Sequence, residues 1–349
     1  MWHPESLSFY SLYGGTTLVL TAAISWILCG VARAWALRRQ IIDTPRGRKT
    51  HTGPVPLLGG LGIIASLVII LPIIAWVVAA DRATFFKLIG FMVGLLILGY
   101  SGYRDDMRDV KWTSQFISVA FAAAVTFIAG TRIEGFTTIK GDLFLVPVFI
   151  GLLLTILWFW GLTFATKILD GVDGLVASIT VASTLIITAL TASERWWQPD
   201  IGLLALGIGG SFIGFLIWNW APASLFLGQS GSLAAGFSLA WISTASGSKL
   251  MTALLVFMLP VLDLIWTITR RWVQSGELSS VVKPDRGHLH HLLQRKGWSA
   301  PKIAISYVVF GGLCGVLSLG LTPLGKIFLL LFAVFMGSAF IAWAHDRSK

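Results

Sequence analysis

Eleven long stretches of apolar side chains constrain this chain more than any other feature, because each approaches the length that a helix needs to cross a bilayer. About 20 apolar residues span the hydrocarbon core. The runs read 9–32, 56–80, 86–103, 113–130, 144–163, 172–192, 199–218, 232–247, 249–267, 303–321 and 325–344. Ser246-Gly247-Ser248 reads as a tight turn between the eighth and ninth. Of the 349 residues, 56% are hydrophobic and 12% charged. A soluble domain is about one-quarter charged, so this chain has too few polar groups to cover a water-facing surface. Its apolar content equally excludes disorder. The fold class expected is an all-α polytopic membrane protein, one integral domain over residues 1–349.

Charge distribution sets the expected orientation. With the N-terminus outside and alternating helices, 19 of the 26 Lys and Arg residues fall on one side and 7 on the other. That asymmetry matches the positive-inside rule and places the C-terminus in the cytoplasm. The opposite side then holds Arg82, Lys87, Arg132, Lys140, Arg195, Lys249 and Lys326. The order of charge around the first run speaks for a retained segment rather than a cleaved signal peptide. Cys29 and Cys314 lie far apart in apolar runs and read as buried, unpaired thiols. On the outer face, the Arg132–Lys140 stretch, a Gly flanked by β-branched residues, predicts a hairpin.

The cytoplasmic loops, at about 33–55, 104–112, 164–171, 219–231 and 268–302, hold nearly all the side chains capable of chemistry. A proton-coupled transporter usually places carboxylates near the midplane. Here acids, imidazoles and cations collect at one membrane surface, with Asp263 the nearest exception, which points to an interfacial enzyme. Asp105 and Asp106 cannot both be buried and ionised unless a cation neutralises them or one keeps a proton; solvated acids bonded to Arg104 and Arg108 are the alternative. Asp170-Gly-Val-Asp173-Gly puts two acids three apart on one side of a helix turn, although either could instead be an N-cap. Gly228-Gln229-Ser230-Gly231-Ser232 enters a helix with N–H groups that could bind a phosphate. His288, His290 and His291 beside Arg286 suit a metal or a diphosphate, with phosphate favoured because no cysteine is near. Arg46, Arg48, Lys49 and His51 form a cationic run that also serves as a topology signal.

Taken together and in this order, the five segments resemble the polyprenyl-phosphate N-acetylhexosamine-1-phosphate transferases, the glycosyltransferase family 4 type. These integral membrane enzymes start bacterial cell-surface glycan synthesis. The matching pieces are Arg48-Lys49-Thr-His51 with Pro54-Val-Pro56-Leu-Leu-Gly59-Gly60, Asp105-Asp106, Leu169-Asp170-Gly-Val-Asp173-Gly174, Phe226-Leu-Gly228-x-Ser-Gly231-Ser232 and Pro284-Asp285-Arg286-x-His288-Leu-His290-His291. The last looks like the branch using simple UDP-N-acetylhexosamines more than the branch using UDP-muramoyl-pentapeptide.

The resemblance implies that undecaprenyl phosphate attacks a UDP-sugar at the cytoplasmic face of a bacterial inner membrane, releasing UMP. Asp105 or Asp106 would deprotonate or position the lipid phosphate, and Asp170 and Asp173 would line the nucleotide side. Arg48, Lys49, His51, Arg286, His288, His290 and His291 would hold phosphate. The expected surroundings are the lipid bilayer and not nucleic acid, with a homodimer left open.

The family also implies Mg²⁺, and here the sequence departs from the pattern. Where the family usually carries Asn and Asp tied to that site, this chain has Lys167 and Gln229, and a further family Asn is Phe164. Either the Lys167 ammonium takes over part of the metal's charge neutralisation, with Gln229 as its neutral partner, or the site binds substrate without turnover. Metal could also bind elsewhere through carboxylates and substrate phosphates. A transporter or lipid-diphosphate binding protein of the same topology is the competing class.

Overall fold

The computed structural model describes residues 3–43, 53–108, 110–138, 142–247, 249–275 and 287–346. A short α1 (Ser6–Phe9) and a π-helical turn (Tyr10–Gly14) lead into α2 (Gly15–Arg39). Strands β1 (Ile42–Asp43) and β2 (Val55–Pro56) precede α3 (Gly59–Val77), α4 (Arg82–Arg108) and α5 (Trp112–Ile128). Strands β3 (Gly135–Thr137) and β4 (Leu143–Leu145) precede α6 (Val148–Leu169), α7 (Leu175–Thr191), α8 (Pro199–Asn219) and α9 (Gly228–Ala245). The last helices are α10 (Leu250–Val256), α11 (Met258–Ser275), α12 (Leu289–Arg295), α13 (Ala300–Leu319) and α14 (Pro323–His345).

Among the described residues, seven helices are long and apolar enough to cross a membrane, or eight if the bent pair α10–α11 counts as one. Two apolar helices, α5 and α7, are shorter. Large apolar side chains point outward around the bundle: Ile128 is 84% exposed and Trp76 76%. Such a surface is unfavourable against water and at home against acyl chains. The chain is therefore a multi-pass integral membrane protein. Cys29 and Cys314 are buried free thiols, and β3 and β4 pair antiparallel as the expected hairpin, Gly135 opposite Leu145.

Helix α9 is the centre of the bundle. Nearly every residue from Gly228 to Ala245 is buried, and α3, α4, α6 and α7 pack around it. Small residues permit the close approach. A Cβ on Gly60 would collide with the backbone of Gly231, and one on Gly102 with that of Ser230. Further along, Phe237 and Trp241 stack on Phe91 from α4, the latter pair at 4.3 Å between ring centroids. Helices α2 and α8 meet the same way, with Gly210 and Gly214 against Thr21 and Ala22, and Ser25 donating to the Ser211 carbonyl at 2.6 Å.

The ninth run, expected as one helix over 249–267, is two helices meeting at 77°. Pro260 explains the break. It has no N–H to offer the Val256 carbonyl four residues earlier, so the ladder fails there. That carbonyl instead faces Gly311 of α13, where a side chain would collide with it. The bend directs α11 towards the segment that carries the histidines.

Candidate active site

The acidic doublet sits at the end of α4 and is held from two sides. Gly228 opens α9 with φ +70, and its own Cβ would press on the Asp106 carboxylate. The next amide, Gln229 N, donates to both Asp106 oxygens at 3.0 and 3.2 Å. The Gln229 and Ser230 N–H groups, two of those that could have bound a phosphate at this helix N-terminus, are thus already engaged by Asp106, an arrangement the helix dipole favours. Asp105 accepts from the Val110 amide at 2.9 Å and from the Gln115 side chain. Gln115 in turn accepts from Lys167. The Lys167 ammonium reaches Asp105 at 3.8 Å and lies within Coulombic range of Asp106 and Asp170.

Asp170 follows α6 directly and is not on a helix turn with Asp173 as expected; both lie in a non-helical turn before α7. Asp173 accepts from the Ala223 amide at 3.0 Å, which makes it a brace for the 219–227 connection. Asn219 completes that brace, accepting from Gly174 N and donating to the Leu225 carbonyl. Asp170 differs. Among the described residues no hydrogen bond reaches its carboxylate. It is open to solvent yet surrounded by protein, the signature of a recess. This enclosure, then the neighbouring Asp106 and Asp173 carboxylates, push its pKa up to about 8, against the pull of Lys167.

The histidine cluster closes the recess. His290 Nε2 lies 3.0 Å from where a Gly171 side chain would begin, and the His291 ring 3.3 Å away. Gly171 is therefore the residue that lets the acidic turn and the imidazoles meet. His290 is 1% exposed, and neither ring nitrogen has a partner among the described residues. Burial, then His291 and His288, hold its pKa well below the ordinary imidazole value, so it is neutral at neutral pH. His288 stacks nearly parallel to it at 5.9 Å.

Asp263, on the bent α11, supports this cluster from behind. It is fully buried, accepts from Leu289 N at 2.8 Å and meets His288 Nδ1 at 3.1 Å, where Thr267 also bonds. The sequence singled out Asp263 only as an acid set back from the membrane surface, without a role, and gave no sign of Gln115. A lone carboxylate inside an apolar run was the available signal for the first. Nothing local marked the second.

Asp105, Asp106, Lys167, Asp170, Gln229, His290 and His291 thus gather at one end of the bundle, with His288 behind them and Asp173 braced to one side. Arg48, Lys49, His51 and Arg286 lie outside the described residues. The β1–β2 pair sets Ile42 opposite Pro56 and Asp43 opposite Val55. Pro56, Gly59 and Gly60 then bond the 226–227 backbone directly ahead of Gln229.

The donors that the resemblance implies for a divalent cation are replaced here by Lys167 and Gln229. Among the described residues no three His, Cys, Asp or Glu side chains converge on a common point. An ammonium, Lys167, already stands among the carboxylates. Gln229 offers a neutral carbonyl oxygen, buried and without a partner among the described residues. Phe164 has become part of an aromatic contact, stacked on Phe116 at 4.3 Å.

Transfer of a phosphoryl group requires positioning and neutralisation of spreading negative charge more than covalent chemistry. A membrane-embedded phosphotransferase is the class that this fold and recess define. The sequence profile of glycosyl transferase family 4 matches residues 88–247. An undecaprenyl-phosphate alpha-N-acetylglucosaminyl 1-phosphate transferase of Thermotoga maritima is 31% identical over 310 residues, covering 84% of this chain and 88% of the relative. The Yersinia pestis protein of the same name is 26% identical over 296 residues, covering 82% and 78%. A phospho-N-acetylmuramoyl-pentapeptide-transferase of Cutibacterium acnes is 27% identical over 358 residues, covering 87% and 97%. The chain belongs to this family, the polyprenyl-phosphate N-acetylhexosamine-1-phosphate transferases of glycosyl transferase family 4, and is an enzyme of that class.

Proposed function

We propose that this protein transfers N-acetylhexosamine 1-phosphate from a UDP-sugar to undecaprenyl phosphate at the cytoplasmic face of a bacterial inner membrane. An oxygen of the lipid phosphate forms a new bond to the β-phosphorus. The bond from that phosphorus to the bridging oxygen breaks, and UMP leaves with the oxygen. The carrying observation is the meeting of Lys167, Asp170 and the His290–His291 pair in one recess at a bundle end. The 19-to-7 division of basic residues supports eleven spans with that end in the cytoplasm.

In this reading, neutral His290 hydrogen-bonds the diphosphate together with His291. Lys167 balances the charge on Asp105 and Asp106 and supplies the cationic presence that a metal would otherwise give. Asp170, whose oxygens are not committed elsewhere, takes the last proton of the lipid phosphate. Asp105 and Asp106 position the surrounding helix ends.

The test is release of UMP from UDP-N-acetylglucosamine in detergent with undecaprenyl phosphate, with and without EDTA. Turnover undiminished by EDTA is expected. The Lys167 and Gln229 departures favour one second reading, a binding-only protein. Nucleotide-sugar binding by calorimetry with no UMP release from any UDP-sugar would establish it.

A further inference from the structure

Three of the seven cations assigned to the outer face by charge distribution come together at the far end of the bundle. Arg195 lies in the α7–α8 connection, Lys249 in the α9–α10 turn and Lys326 in the first turns of α14. Helix α9 starts at the carboxylate recess and ends just before Lys249. Its 18 residues, at a rise of ~1.5 Å each, separate the two places by about 27 Å.

Lys249 is the buried member of the cluster, Lys326 is half-buried and Arg195 is exposed at its rim. Lys249 is only 8% exposed, and its ammonium donates to the neutral Gln198 Oε1 at 3.2 Å. It also lies 5.5 Å from the centre of the Trp196 ring, which Arg195 covers at 5.1 Å. Lys326 donates to Thr252 Oγ1 at 3.0 Å, and Thr252 is fully buried. Lys326 repels both other cations at Coulombic range.

Among the described residues, none of the three cations makes an ion pair. The acid within Coulombic range of Lys249 is Asp200, whose Oδ2 accepts from Thr84. Glu194 is exposed. Burial, then Lys326, push the Lys249 ammonium down to about 7, with Asp200 opposing.

Two partly enclosed ammoniums, Lys249 and Lys326, held only by neutral acceptors and flanked by the exposed Arg195, are unfavourable alone and complementary to an anion with several oxygens. We propose that Arg195, Lys249 and Lys326 form a phosphate-binding site that takes the headgroup of an anionic membrane lipid. The lipid source follows from where the cluster sits. Leu324 and Phe328, which flank Lys326 along α14, are 43% and 64% exposed, so acyl chains reach this level of the bundle. Basic pockets between membrane helices are a known means of holding lipid phosphates. The site is independent of the transfer reaction proposed above.

The test follows thermal unfolding of the full chain in neutral detergent with added phosphatidylglycerol, phosphatidylcholine or inorganic phosphate. Phosphatidylglycerol is expected to raise the midpoint by a few degrees and phosphatidylcholine to leave it unmoved. The double variant Lys249→Gln with Lys326→Gln should lose that response. Without lipid it should melt no lower than the parent, since the repulsion is gone. Native mass spectrometry provides a second readout, retained phosphatidylglycerol falling in the variant. A rise with inorganic phosphate equal to that with phosphatidylglycerol would assign the site to free phosphate and overturn the lipid source. No rise with phosphatidylglycerol, or the same rise in the double variant, would overturn the site itself.

Discussion

Lys167→Met removes the ammonium and keeps much of the aliphatic stem, leaving Asp105, Asp106 and Asp170 to repel one another. At the 3.8 Å separation from Asp105, the gross Coulomb attraction is about 4 kcal/mol at an effective dielectric of about 20. Both side chains keep some contact with water, so roughly half survives screening, about 2 kcal/mol. If that charge also serves the diphosphate in the transition state, turnover should fall about 30-fold, the equivalent of that free energy. The assay is UMP release under saturating donor and acceptor, with a thermal midpoint to confirm folding. Added Mg²⁺ should not rescue Lys167→Met. Lys167→Asn combined with Gln229→Asp should become EDTA-sensitive and should bind Mn²⁺, read by electron paramagnetic resonance without turnover. The reasoning is refuted if the parent enzyme loses activity in EDTA while Lys167→Met stays within about threefold of it.

Asp263→Ala leaves His288 and Leu289 N without their buried acceptor and should lower stability by about 3 kcal/mol, read from denaturation in micelles; an unchanged midpoint would contradict its positioning role. Gly60→Ala forces a Cβ into the Gly231 backbone and should cost about 2 kcal/mol by overpacking while displacing the Gln229–Asp106 contact, seen as a lower midpoint and lower turnover together. Asp170 has an opposite effect on stability and rate. Its folded pKa of about 8 exceeds the ordinary ~3.9, so across that window the folded chain binds more protons and stability falls as pH rises, levelling above about 8. Turnover should climb over the upper part of the same window as the carboxylate forms, and Asp170→Asn should flatten the stability slope, abolish turnover and retain donor binding.

Much of the fold was legible because lipid imposes a simple demand: every spanning segment must be long, apolar and helical. The apolar helices follow from that demand, while the hairpin was marked by its turn residues and the thiols by their apolar setting. The bend at Phe257 was less visible. Pro260 alone does not dictate a 77° turn; the space at Gly311 that receives the freed carbonyl comes from a distant helix. The site divided the same way. Charged motifs at loop ends marked Asp105, Asp106, Asp170 and the histidines, since polar groups are rare in such a chain. Gln115 escaped because its role depends on Asp105 and Lys167, contacts that no local pattern encodes. The bracing contact of Asp173 was not visible because its partner, the Ala223 amide, is fifty residues away.

Helix α9 carries a further consequence for how the molecule is made. Surrounded by protein and rich in glycine, serine and alanine, it is not among the segments apolar enough to enter the membrane by partitioning. Its insertion must lean on α3, α4, α6 and α7, all synthesised earlier. The helix that carries Gln229 into the candidate site therefore inserts only after the helices that surround it. Substitutions that loosen its grip on Gly60 or Gly102 should thus deplete the cell of mature enzyme, through quality control of half-inserted chains, in addition to slowing the chains that do mature.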